Sequence, residues 1–168
     1  MKSLSKTILL VVIGLAADMA LAAGDPDAGK EKSAACAACH GQDGNSSSAQ
    51  YPKLAGQGEP YLVKQLKDYK SGARENAIMA GQVANLSEQD MADIAAYYAE
   101  QEIETGTANP DYVEQGEKIW RAGIAEKGVA SCAGCHGPAG QGVQAAAFPS
   151  LAGQHADYTV SQLEAFRN

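Results

Sequence analysis

The apolar positions of this 168-residue chain form one dense run and a long, thinly populated remainder. Ile8 to Ala17 is an unbroken apolar stretch of ten, behind Lys2 and Lys6 and ahead of Ala20-Leu21-Ala22. A basic start, a short apolar middle and an A-x-A ending are the three parts of an export signal. Residues 1–22 therefore read as that signal, with Ala23 first in the mature chain. The run is half of the ~20 residues that span a bilayer, so an uncleaved anchor is the weaker reading. Beyond it the pattern is helical. Asp27 to about Cys39 is rich in Ala and Lys, and Pro60 to Ser71 opens with Pro and spaces Leu62, Leu66 and Tyr69 on one face. Ser87-Glu-Gln-Asp90 has the cap signature of a helix that places Met91, Ile94, Ala95 and Tyr98 together and runs to about Glu102. Gly41 to Ala49 is a Gly/Asn/Ser loop, and no segment alternates over strand length. The expected fold is all-α.

The pattern repeats. Cys36-Ala-Ala-Cys39-His40 returns as Cys132-Ala-Gly-Cys135-His136 at an offset of 96. Pro52-Lys-Leu-Ala-Gly-Gln57 returns as Pro149-Ser-Leu-Ala-Gly-Gln154 at 97, and Tyr61, Gln65, Leu66 and Tyr69 as Tyr158, Gln162, Leu163 and Phe166. Gly29 has a rough counterpart in Gly116. A period near 97 is too long for a solenoid and suits a small domain. The expected organisation is a first domain over 23–103, a Gly/Pro/polar linker over 104–110 and a second domain over 111–168. The matches end at Asn168, the counterpart of Ser71.

Composition sharpens the problem. Residues 23–168 contain 6 Leu, 5 Ile, 6 Val and 2 Phe, about 13% of 146. Below ~20% with a high net charge, a chain normally reads as disordered. Either the mature chain is disordered or something other than side chains fills its interior. Setting aside Lys2, Lys6 and Asp18 leaves 11 basic and 19 acidic residues. That balance argues against nucleic acid and anionic membrane surfaces and favours a partner with a basic patch.

The cysteines suggest the filler. Outside the cytoplasm bare pairs oxidise unless other chemistry captures them. Cys-x-x-Cys-His is the attachment motif of a c-type haem. On a helix, positions i, i+3 and i+4 share a face, so two thiols can bond the porphyrin vinyl groups while the adjacent imidazole meets the iron. The rivals are a thiol redox motif, which wants a βαβ setting, zinc, which wants four ligands, and disulfide staples, which leave both histidines unexplained. Two equivalent copies in an exported, core-poor chain favour two haems. A distal ligand for the first is found in Met79, within Asn76-Ala-Ile-Met-Ala-Gly81, which reads as a loop; Met91 is explained by packing. His155, the spare histidine of the second unit, maps to Gly58 and reads as a surface residue.

The two CxxCH motifs, the repeated P-x-L-A-G-Q with Y-x-x-x-Q-L, and Leu86-Ser-Glu-Gln-Asp with Ile94-Ala-Ala-Tyr-Tyr98 resemble the cytochrome c4 family. The resemblance covers about Ala23 to Asn168 and implies two tandem class I cytochrome c domains, the second incomplete. It implies thioethers from Cys36, Cys39, Cys132 and Cys135, proximal ligands in His40 and His136, and Met79 as distal ligand of the first haem iron. Pro52 and Pro149 match the proline whose carbonyl accepts the proximal imidazole N–H, a bond that fixes ring orientation. A complete member would continue with a second methionine and a final helix crossing near Gly116. The chain as given is therefore expected to leave the second iron open and able to bind carbon monoxide.

The function implied is a periplasmic dihaem carrier that passes single electrons along a respiratory chain and is not an enzyme. Its partners would be redox proteins, a membrane oxidase or reductase, with any membrane association loose and made through them. The alternatives are a dihaem peroxidase-like enzyme and a non-haem metal or disulfide module.

Overall fold

A computed structural model describes residues 23–167. The expected export signal, residues 1–22, lies outside the described residues, as does Asn168. The chain is all-α: no strand forms among the described residues, and none of their helices is long and apolar enough to cross a membrane.

The first unit is organised around one helix. Helix α1 (Pro26–Lys32) and α2 (Ala34–His40) are followed by α3 (Glu59–Ser71), α4 (Ala77–Val83) and α5 (Glu88–Ala99). The continuous helix expected to Cys39 is divided at Ser33, whose N–H bonds back to Gly29 while α2 starts anew. The Ser87–Asp90 capping box is present and opens α5. Every residue of α5 from Met91 to Tyr98 is buried, not the single face that apolar spacing indicates. A helix buried all round must be enclosed by its neighbours, here α1 on one side and α3 on the other. The α1 contact depends on glycine. A Cβ at Gly29 would lie 2.0 Å from the Asp93 carbonyl oxygen and 2.9 Å from Tyr97 Cβ.

A polar tie holds the same crossing. The buried Asp93 carboxylate accepts from the Asp25 N–H at 2.9 Å and from Gln89 Nε2 at 2.8 Å. Lys32 Nζ lies 2.5 Å from Asp93 and 2.7 Å from Asp90. The Asp25 N–H first, then Lys32, hold the Asp93 carboxyl below the usual carboxylate range. A carboxyl acidified by folding contributes stability above its unfolded pKa of about 4, and loses it as pH falls through the lower folded value. Stability is therefore expected to decline below about pH 4. Asp93→Asn keeps an oxygen for Asp25 and removes the charge, so its stability should depend less steeply on acid. Urea melts at stepped pH check this, and equal slopes for the two chains would overturn it.

The second unit has α6 (Pro110–Ala122), α7 (Ala133–His136) and α8 (Ala156–Arg167), with 3-10 turns at Ala125–Lys127 and Gln144–Ala146. Isolated antiparallel bridges, Ile124 with Val129 and Val143 with Phe148, close the loops around those turns. None of the three helices buries a residue among those described. Among the described residues no atom lies within 4 Å of a Cβ placed at Gly116, in contrast to Gly29.

Candidate functional site

Helix α2 carries Cys36, Cys39 and His40 in one turn. It ends at Gly41, whose φ of 84° and close approach to Asn45 both require glycine. Cys36 and Cys39 are half-buried and unbridged. Cys36 packs on the cluster of Leu62, Ile94, Ala95, Tyr97 and Tyr98. Burial pushes the Cys36 thiol up, which is the reverse of what a reactive redox thiolate needs.

His40 is buried, and its Nδ1 lies 2.8 Å from the Pro52 carbonyl oxygen. A carbonyl only accepts, so Nδ1 carries the hydrogen and Nε2 keeps its lone pair. Burial pushes the His40 pKa down and favours that neutral ring. The Tyr51 ring meets the imidazole edge-on at 6.2 Å.

The second group repeats the arrangement in a more open setting. Cys132 is half-buried at the start of α7, Cys135 is exposed, and His136 ends the helix. His136 Nδ1 lies 2.9 Å from the Pro149 carbonyl oxygen. Trp120 and Phe148 flank the imidazole at 6.4 and 6.2 Å. Trp120 is held by its indole N–H donating to Pro138 at 3.1 Å.

The structure thus gathers Cys36, Cys39, His40 and Pro52 in one place, and Cys132, Cys135, His136 and Pro149 in another. Met79 arrives on a different element. Its segment is the helix α4, not a loop, because the Asn76 side chain accepts from the Met79 N–H at 3.0 Å and caps it. Met79 is half-buried there. Met91 is fully buried on α5, as packing requires.

The residues present fit a haem attached through thioethers. Two thiols and an imidazole share a helical turn in each unit, and each imidazole has its inner nitrogen engaged and its outer one available. The Tyr98 hydroxyl is buried beside Cys36 with no hydrogen-bond partner among the described residues. Among those residues no three His, Cys, Asp or Glu side chains converge as a site made of protein ligands alone would need.

Sequence reasoning missed the contacts between the units. Gln57, Gln154, Arg74 and Ser46 all bond across that boundary, and His155 meets Ser46 there. The repeat of Gln57 at Gln154 was the available signal.

A family model described as "Cytochrome c" matches residues 26–101 and 113–168. Cytochrome c4 of Pseudomonas aeruginosa is 52% identical over 159 residues, covering 95% of this chain and 79% of that protein. The crystal structure of reduced recombinant cytochrome c4 from Pseudomonas stutzeri superposes with a TM-score of 0.83 at 49% identity, over 86% of this chain and 81% of that one. A more distant relative, the thiosulfate dehydrogenase electron acceptor of Thiomonas intermedia, is 38% identical over 161 residues, covering 91% of this chain and 70% of that protein.

Proposed function

This chain belongs to the cytochrome c4 family of dihaem electron-transfer proteins, and from that premise we propose which residues hold each haem and where the protein works. Cys36 and Cys39 bind the first haem as thioethers, with His40 Nε2 on its iron. Cys132, Cys135 and His136 do the same for the second. The bound haem supplies a one-electron couple that cycles without making or breaking bonds.

The chain's own contribution is to hold that couple and tune it. The observation that carries the assignment is the matched pair of imidazole-to-carbonyl bonds, His40 to Pro52 at 2.8 Å and His136 to Pro149 at 2.9 Å. Each fixes one tautomer and raises the basicity of the outer nitrogen. Met79 would offer the first iron a soft, neutral thioether, a ligand that favours the ferrous form and raises the potential. A closed iron suits a carrier better than a peroxidase.

The acidic composition supports a partner with a basic docking face. A membrane oxidase or reductase of a respiratory chain, reached from the periplasm, is the partner class proposed. The relative named as an electron acceptor for thiosulfate dehydrogenase is consistent with a carrier role.

Intact mass and a pyridine haemochrome spectrum test the assignment. The mature chain should gain the mass of two haems, and Cys36→Ser with Cys39→Ser should remove one. Met79→Ala should lower one midpoint potential and leave both haems attached. A mass without haem would overturn the whole assignment; an unmoved potential would remove Met79 from it.

A further inference from the structure

The two units meet through the repeated P-x-L-A-G-Q segments, and the contact is reciprocal. Gln57 Nε2 donates to the Ser150 carbonyl at 3.0 Å, and the Ser150 N–H donates to Gln57 Oε1 at 2.8 Å. Gln154 Nε2 donates to the Lys53 carbonyl at 2.9 Å, and the Lys53 N–H donates to Gln154 Oε1 at 2.9 Å. Lys53 and Ser150 are equivalent positions of the repeat, as are Gln57 and Gln154. Each amide also turns its oxygen to the next N–H of its own unit, Gly58 or His155, at 3.0 Å. The side chain of each unit thus occupies both backbone groups of one residue in the other.

That residue is not arbitrary. Lys53 follows Pro52, and Ser150 follows Pro149, the two prolines whose carbonyls hold His40 and His136. A short route therefore runs from each imidazole, through its carbonyl and one peptide, to an amide of the opposite unit. Arg74 adds a third point. Its guanidinium stacks over Tyr69 at 4.8 Å and bonds Gln65 in its own unit, then Tyr158 at 2.9 Å and Gln162 in the other. Directional bonds of this kind fix a register, whereas a purely apolar contact can slide.

We infer that Gln57 and Gln154 are positioning residues for electron exchange between the two haems, because they pin the segment behind each proximal histidine to the opposite unit. The inference rests on the dihaem reading. In the exchange one iron is oxidised by one electron as the other is reduced by one, and no proton or bond moves in the clasp. The amides act only by setting separation and orientation.

The test uses the haem-loaded chain with Gln57→Ala and Gln154→Ala singly and together, with intramolecular equilibration followed after pulse-radiolytic reduction. The double variant should keep two haems by mass and the parent's absorption spectrum. Its equilibration should slow measurably, because exchange falls as the two haems move apart. Small-angle scattering should show the two units separating. Gln154→Glu sets an acceptor against the Lys53 carbonyl and should slow exchange in the same direction, so it serves if the double variant does not assemble. Two intact haems exchanging at the parent rate in either variant would overturn the inference. If the parent chain carried no haem, the carrier reading would fall by itself, and unchanged scattering in the double variant would separately sink the clasp.

Discussion

With Cys36, Cys39, Cys132 and Cys135 all replaced by serine, the chain is expected to show no cooperative thermal transition. The buried apolar side chains of the described residues explain why. They are Ala55, Leu62, Val83, Met91, Ala92, Ile94, Ala95, Ala96, Tyr97 and Tyr98, four of them alanines, and all belong to the first unit. In the second unit Tyr112, Val113, Val143, Phe148, Leu163 and Phe166 remain exposed. Ordering a chain of this length costs far more than so few large side chains return. On the proposed assignment each unit would carry its own haem, one on α2 and one on α7, and a covalently attached apolar cofactor counts as part of the folded interior. The loss on removing it is the whole stability of the protein, on the order of 5–15 kcal/mol for an ordinary domain. Circular dichroism against temperature reads this directly. A sharp melt in the four-serine chain would contradict it.

The second large effect separates Gly29 from its rough counterpart Gly116. Gly29→Ala is expected to destabilise the first unit by about 3 kcal/mol, or roughly 12–24 °C in its melting temperature. The added Cβ would meet the Asp93 carbonyl oxygen at 2.0 Å and its carbon at 2.5 Å, and both are backbone atoms of a fully packed helix. Neither can turn aside, so α1 must retreat from α5. That retreat also loosens the Asp25 and Lys32 contacts to Asp93. With the described residues alone, Gly116→Ala meets no atom within 4 Å and should cost far less than Gly29→Ala. Thermal melts of the two haem-loaded variants, followed separately at each haem, provide the check. Equal losses at the two sites would mean that the α1–α5 crossing is not the cause.

Much of the site was legible because its chemistry is local. The CxxCH spacing puts thiols and imidazole on one helical turn, and the structure has α2 and α7 at those residues. The Ser87–Asp90 box was equally readable, since both partners lie within four residues. What stayed hidden depended on distant neighbours. The alanines of α5 look indifferent until α1 closes over them, so the all-round burial of Met91 to Tyr98 could not be read from apolar spacing. The helical state of Met79 turned on one asparagine cap in a seven-residue helix. The paired glutamines were visible as a repeat, but their partners lie about a hundred residues away.

The reciprocal glutamine bonds also bear on assembly. A contact in which the same residue of each half reaches the same place on the other has two-fold character and is isologous. Such a contact closes on itself. Once Gln57 has taken Ser150 and Gln154 has taken Lys53, neither half has that face left for a third body, so this surface cannot seed an open-ended fibre. The fused pair is complete in this respect within one chain. His155, standing where the first half has Gly58 and bonded to Ser46, and Arg74, bonded to Tyr158 and Gln162, break the equivalence and give the closed pair a distinguishable left and right.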